Sequence, residues 1–189
     1  MTSSPVNPDH LSVSFNLLAE VFHERNEIEL EAKCLGAVIG NHPILPDMWT
    51  RLGRAYSEMS RKDRRKKFYA AAAFFRGLEL LKSVEKTVFD FVKEMNVSSQ
   101  QRIKQEIESL NLDSQMLDRI SELVAKNLKS EEPDEPGATE FEDLGKSARL
   151  KSIEDSFRKI DESIDDGSIV LPDLINFEAK MFHFLAEIN

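Results

Sequence analysis

The chain contains few of the residues that form disulfides or interrupt helices, namely cysteine, glycine and proline. Its 189 residues include one cysteine, Cys34, which excludes an internal disulfide framework and a cysteine-based zinc cluster. A reducing, intracellular compartment is the simplest context for such a chain, and we expect a cytoplasmic or nuclear location. There are only 7 Gly and 7 Pro, and most of them stand at the edges of apolar-periodic segments. Few helix breakers beside many Glu, Lys, Leu and Ala favour helix throughout.

Long apolar runs and positive net charge are also missing. Residues 1–10 are polar, so no signal peptide is expected, and no window is long and apolar enough to span a membrane. The formal net charge of −9 argues against a general binder of nucleic acid or anionic membrane. With 41% hydrophobic and 31% charged residues, the composition is that of a globular protein.

Two sets of four residues recur at one spacing near the N-terminus. Each set has the order aromatic, Leu, small, aromatic, and the members are Phe15, Leu18, Ala19 and Phe22, then Trp49, Leu52, Gly53 and Tyr56. The offset is 34 residues, and the second set, W-x2-L-G-x2-Y, resembles the tetratricopeptide repeat (TPR). That resemblance implies paired antiparallel helices, with a small residue at their close approach and aromatics between hairpins. One hairpin cannot bury its apolar face, so hairpins stack.

The expected fold is therefore all-α, with antiparallel hairpins stacked as a short TPR-like array and a C-terminal helical extension. After a flexible N-terminus at 1–10, the TPR-like domain covers 11–129. A helix over about 28–39 should end in left-handed residues at Gly40 and Asn41. The next helix should start at Pro46 and end near Met59. A fourth helix can be traced through the apolar and small residues Ala70, Phe74, Gly77 and Leu78.

The helices beyond the repeats follow from apolar spacing. One is expected from Val84 to Val97, with Met95 on its inward face, and a break at 96–99 is expected to separate it from a second over 100–110. A third should begin at Asp113 or Ser114 and run through Leu128.

An acidic segment divides this part from the C-terminus. Residues 130–145 carry seven acids and no base, which predicts an exposed linker over 130–146. Phe141 and Leu144 within it form either a short docking motif or plain linker. Residues 147–189 are expected to form a helical hairpin. The apolar stretch 177–185 must then dock on the array or on a partner.

The run at 61–67 contains six bases, and these are Arg61, Lys62, Arg64, Arg65, Lys66 and Lys67. A nuclear-import signal or a phosphate-binding patch is one interpretation. A solvated loop or helix edge balanced by nearby acids is the other. Because the repeat register slips by about five residues here, we expect either a longer loop or an extended helix at this place.

No residue pattern indicates catalysis or a cofactor. The four histidines have no metal-ligand spacing, and we expect no metal. Residues 162–173 imitate a calcium loop, but Ile164 occupies a ligand position and a helix–turn–helix is favoured. Cys34 is expected to be a small buried residue. Phosphate-loop, nucleophile-elbow and dinucleotide motifs are absent, so we expect a protein that is not an enzyme.

A narrower resemblance concerns residues 42–56, "HPILPDMWTRLGRAY". The spacing of His42, Pro43, Pro46, Trp49, Leu52, Ala55 and Tyr56 is similar to that of a metazoan family named after chromosome 8 open reading frame 76. Residues 153–160, "IEDSFRKI", also look similar. This resemblance implies a TPR-containing protein and supplies no catalytic residues.

These features predict a scaffold or adaptor subunit of a larger complex. Its groove, lined by Asn16, Arg51, Arg54 and the basic run, would hold an extended or helical segment of a partner protein through its backbone or carboxylates. Two repeats are few, so the later helices or an obligate partner must cap the array. The alternative is a nucleic-acid-associated factor that uses residues 61–67.

Overall fold

The computed structural model describes residues 8–85, 90–131, 171 and 173–188. Over these residues the fold is all-α and contains no strand. The α-helices are α1 (Pro8–Glu24), α2 (Ile28–Asn41), α3 (Pro46–Met59), α4 (Lys66–Glu85), α5 (Asp90–Ser109), α6 (Ser114–Glu131) and α7 (Leu174–Met181), followed by a 3₁₀ helix, His183–Ile188. From α1 to α5 each helix packs on the next, and α6 packs on α4, which is consistent with the repeat-like arrangement that the sequence predicts.

A left-handed asparagine closes the end of α1. Asn26 has φ 57°, its N–H donates to the carbonyl of His23, and the N–H of Glu27 donates to the carbonyl of Phe22. This is the Schellman pattern, and Asn enters the left-handed region at less cost than most side chains. So short a connection turns α2 back along α1 as a hairpin.

The prediction that α2 ends in left-handed residues at Gly40 and Asn41 is wrong. Asn41 remains helical, and its side-chain Nδ2 donates to Ser12 Oγ of α1 at 3.0 Å. The helix ends at His42, with φ −130°, because the following Pro43 disfavours helical backbone in the residue before it. Outside glycine, the described residues with positive φ are Asn26 and Asn111.

Helix α3 begins at Pro46 and ends at Met59, as predicted. The proline occupies the first helical position, where a missing N–H costs no intrahelical bond. Residues 60–65 then form a loop of turns before α4, so the longer-loop alternative is the correct one.

The predicted break at 96–99 is wrong as well, because α5 is continuous from Asp90 to Ser109. Asn96, Ser98 and Ser99 cost a helix only a few tenths of a kcal/mol each, and no Gly or Pro interrupts the segment. Met95 is 58% exposed rather than inward. Ile103 and Ile107 are buried as expected, and both α5 and α6 pack on α4.

The closest packing joins α3 to α4. A Cβ built on Gly53 would lie 2.6 Å from Phe74 Cδ1, so only glycine permits this approach. Ala70, Ala71, Ala72 and Ala73 of α4 are fully buried beside it. The small residue of the repeat set therefore has the role that the sequence predicts for it.

The C-terminal segment packs on this array. Helix α7 contacts α2, where Phe177 lies 3.2 Å from a Cβ built on Gly36, and the 3₁₀ helix contacts α6. Leu174, Phe182, Phe184 and Leu185 are buried. The predicted linker beyond residue 131, the predicted helix that follows it, and Phe141 and Leu144 lie outside the described residues.

Candidate partner-binding groove

An open groove of about 930 Å³ lies along α1, α3 and α5. The helix residues that line it are Glu20, Val21, His23 and Glu24 of α1, Asp47, Arg51, Arg54, Ala55, Ser57 and Glu58 of α3, and Glu106 of α5. Ile28 and Glu31 of α2 complete it together with Arg25. We call this set the groove.

The contributions of α1 and α3 correspond by repeat position. Glu20, Val21, His23 and Glu24 each stand 34 residues before Arg54, Ala55, Ser57 and Glu58, respectively. Equivalent helices of the two hairpins therefore turn equivalent positions toward the same space. Their neighbours Phe15, Ala19, Trp49, Leu52 and Tyr56 are buried on the other side.

The structure brings the predicted residues Asn16 and Arg51 together. Arg51 Nη1 donates to Asn16 Oδ1 at 2.7 Å and lies 3.9 Å from Glu20 Oε1. The side chain of Arg51 is only 17% exposed. This arginine links α3 to α1 and is held from within the chain.

The third predicted groove residue, Arg54, is also paired. Its Nε donates to Glu106 Oε1 at 2.8 Å, which links α3 to α5, and the two side chains are 38% and 31% exposed. The sequence prediction left these arginines available to a partner's carboxylates. In the structure both bind acidic or amide oxygens of this chain, because α1 and α5 place those oxygens within reach.

The basic run is divided between the surface and the interior. Arg61, Lys62, Arg64 and Arg65 are exposed in the loop, where Arg61 lies 3.2 Å from Glu58 and the Asp63 carboxylate accepts the N–H of Arg65. Lys66 Nζ lies 2.6 Å from Glu178 Oε1 of α7, and Lys67 Nζ donates to the carbonyl of Leu110. Two of the six bases therefore hold the fold together, and four remain on the loop.

An aromatic cluster surrounds the Lys66–Glu178 pair. The ring of Phe182 is stacked on Tyr69 at 5.1 Å and contacts Trp49, Tyr56, Phe177 and Phe184 edge-on. The ammonium of Lys66 lies 5.5 Å from the ring of Tyr56 and 5.2 Å from that of Tyr69. The apolar character of residues 177–185 signals that they dock somewhere, but no spacing in the sequence links Phe182 to Tyr69.

Burial governs the titration of two groups near this core. It raises the pKa of the Tyr56 hydroxyl well above its ordinary value, and the nearby Glu178 carboxylate adds to the effect. It also raises the pKa of the Cys34 thiol to about 11, with a smaller contribution from Glu31. Cys34 is fully buried, so its thiol stays protonated at neutral pH and is a poor nucleophile.

The described ranges, 8–85, 90–131, 171 and 173–188, contain neither a metal-binding cluster nor a membrane-spanning helix. Within them, no three His, Cys, Asp or Glu side chains come together closely enough to hold a metal ion. No helix in the described part of the chain has the length and apolar character to cross a membrane. Most of the calcium-loop-like stretch at 162–173 lies outside these ranges.

In comparisons with known proteins, no family model, no curated protein and no solved structure matches this chain.

Proposed function

We propose that this chain is a non-enzymatic scaffold or adaptor subunit of an intracellular complex, TPR-like in its hairpins, whose groove binds a segment of a partner protein. The observation that carries the proposal is an open groove formed by equivalent positions of α1 and α3 and extended by α5. Its lining is mixed, with apolar Val21 and Ala55 between charged side chains. Such a surface suits a peptide segment, which presents both side chains and backbone polar groups.

The dimensions of the groove fit a short segment. Its lining runs along α3 from Asp47 to Glu58, and a helix rises about 1.5 Å per residue, so this side is roughly 16 Å long. An extended chain rises about 3.3 Å per residue and covers that length in about 5 residues. A segment of that size adds only a small interface, which is the expected behaviour of a recognition module within a larger complex.

The nucleic-acid alternative has weaker support. Lys66 and Lys67 are engaged inside the fold, and Arg61 faces Glu58, which reduces the positive charge of the loop. Fewer phosphate contacts mean weaker and less salt-dependent binding.

The proposal is tested by photo-crosslinking from within the groove. A photoreactive residue is placed at Ser57, which lines the groove, and in a second protein at Glu122, which is exposed on α6 outside it. In cells that express the protein, we expect a partner to be crosslinked from position 57 and not from position 122, as identified by mass spectrometry.

A matched pair of substitutions makes the test specific. Val21→Trp fills the groove without changing charge, because Val21 is 49% exposed and lines it. Val13→Trp puts the same ring on the same helix at a position that is 61% exposed and outside the lining. Val21→Trp should abolish the crosslink from Ser57, and Val13→Trp should leave it. Equal crosslinking from both positions, or a crosslink that survives Val21→Trp, would contradict the proposal.

A further inference from the structure

We infer that the segment bound in the groove is basic, with Lys or Arg side chains flanking at least one apolar side chain; this inference rests on the proposed function. It reverses the expectation drawn from the sequence, in which the arginines of the groove receive a partner's carboxylates. The charges, the helix ends and the existing hydrogen bonds of the groove all favour a cationic segment.

The groove carries more negative than positive side chains. Six carboxylates line it, against the three arginines Arg25, Arg51 and Arg54. Four of these acids are exposed, namely Glu20, Glu24, Asp47 and Glu58. Of the three arginines only Arg25 is exposed, at 65%, whereas Arg51 is 17% exposed. A cation that enters the groove therefore meets more accessible carboxylates than guanidinium groups.

The helix ends add to this negative potential. Glu24 is the last residue of α1, Glu58 lies next to the end of α3, and Glu106 lies in the last turn of α5. A helix C-terminus carries a partial negative charge from its unpaired carbonyl groups. Three such ends meet here. The N-terminal turns of α2 and α3 also reach the groove, and each places an acid in its lining, Glu31 and Asp47 respectively.

The arginines are already bound, so a carboxylate gains little from them. An incoming carboxylate would have to displace Asn16 from Arg51, or Glu106 from Arg54, and would then face the acids it had released. An incoming ammonium or guanidinium can pair with Glu24 without breaking either bond. It can also share Glu20 with Arg51 and the exposed Glu58 with Arg61, since a carboxylate accepts more than one hydrogen bond. The same arrangement therefore attracts basic segments and rejects acidic ones.

The apolar side chain of the segment has a defined place. Val21 is half exposed and lies, with Ile28 and Ala55, among the residues that line the groove. Long basic side chains can cover such apolar surface with their methylene stems while their charged ends reach the acids at its rim.

The experiment is a selection of random peptides displayed on phage, about 10 residues long so that each exceeds the groove span. Peptides that bind the wild-type chain are retained as groove-dependent only if binding is lost on Val21→Trp and kept on Val13→Trp. Since both substitutions are neutral, this step selects for the groove and not for charge. The net charge of the retained peptides is then read by sequencing.

We expect the retained peptides to be net positive, and synthetic copies to bind at least about tenfold more weakly to Glu24→Lys/Glu58→Lys. The matched control is Asp118→Lys/Glu122→Lys, which changes the net charge equally at exposed positions of α6 and should bind as the wild type does. Both groove positions lie at helix C-termini, where lysine is favourable, so the first variant should remain folded.

Different results would contradict the basic segment and the proposed function. Groove-dependent peptides that are neutral or acidic would overturn the basic segment and leave the groove as a binding site. Equal weakening by both lysine variants would also overturn it, because attraction would then be general. If no retained peptide depends on Val21, the proposed function itself fails, and the inference fails with it.

Discussion

Two ion pairs on opposite sides of α3 differ in their exposure to solvent. On the groove side, Arg54 and Glu106 pair while 38% and 31% exposed. On the side of the aromatic cluster, Lys66 and Glu178 pair at 2.6 Å while only 14% and 9% exposed. Water competes for the first pair and hardly reaches the second, so removing one partner should cost more stability in the second pair, where it leaves a buried charge unpaired. Helix α3 thus lies between a partly exposed ion pair on the groove side and a buried ion pair beside the aromatic cluster.

Among the variants that compare the two sides of α3, Phe182→Ala should cause the largest loss of stability. Phe182 is 4% exposed and its ring contacts five other aromatic rings, so its removal should lower the free energy of unfolding by about 3–5 kcal/mol. Val21→Ala, on the groove side, should change it by less than about 0.5 kcal/mol. Urea denaturation measures both. Similar small losses in the two variants would show that the C-terminal segment is not part of the folded core.

The two ion pairs allow a direct contrast of the same kind. Lys66→Met leaves Glu178 buried without its cation and removes the contacts of Lys66 with two tyrosine rings, so we expect a loss of about 3 kcal/mol. Arg54→Met leaves Glu106 able to reach water, and the loss should stay below about 1 kcal/mol. The two variants are compared by the midpoints of their urea transitions. An equal cost would mean that the groove pair is as structural as the buried one.

Alanine substitutions at two glycines test the smallest difference in stability, between the close α3–α4 contact and the open surface of α2. Gly53→Ala places a Cβ 2.6 Å from the Phe74 ring and should destabilise the chain by about 1–3 kcal/mol. Gly40→Ala meets nothing within 4 Å inside α2 and should stabilise it by roughly 0.5 kcal/mol through helix propensity. Thermal melts should therefore shift in opposite directions. A shift of the same sign would indicate that α3 and α4 can move apart.

Much of the helical layout could be predicted from local signals. Pro46 fixes the start of α3, and the 34-residue recurrence identifies α1 and α3 as equivalent helices with equivalent faces. The errors concern helix ends and continuity. Asn26 and not Asn41 takes the left-handed turn, and α5 runs through serines that looked like a break. Propensity differences of a few tenths of a kcal/mol are too small to decide such points.

The candidate site could be predicted only in part. The recurrence shows which residues of α1 and α3 share a face, and Arg51 and Arg54 do line the groove. Asn16 contacts Arg51, but neither it nor the basic run at 61–67 is part of the lining. The recurrence cannot show that Glu106 meets Arg54, because 52 positions separate them and α5 must first be placed. The sequence also overestimates the positive charge that the basic run exposes. Lys66 pairs with Glu178, which lies 112 positions away in the chain, so no local pattern predicts this pair.

The sequence by itself determined the all-α class, the equivalence of α1 and α3, and the small residue, Gly53, where α3 packs closely on α4. These follow from periodic burial and from backbone rules that act over one or two turns. Only the tertiary structure decided which charged side chains are paired within the chain and which are exposed along the groove. That choice depends on side-chain oxygens and nitrogens that meet within about 3 Å across distant helices, and no local pattern encodes such a meeting.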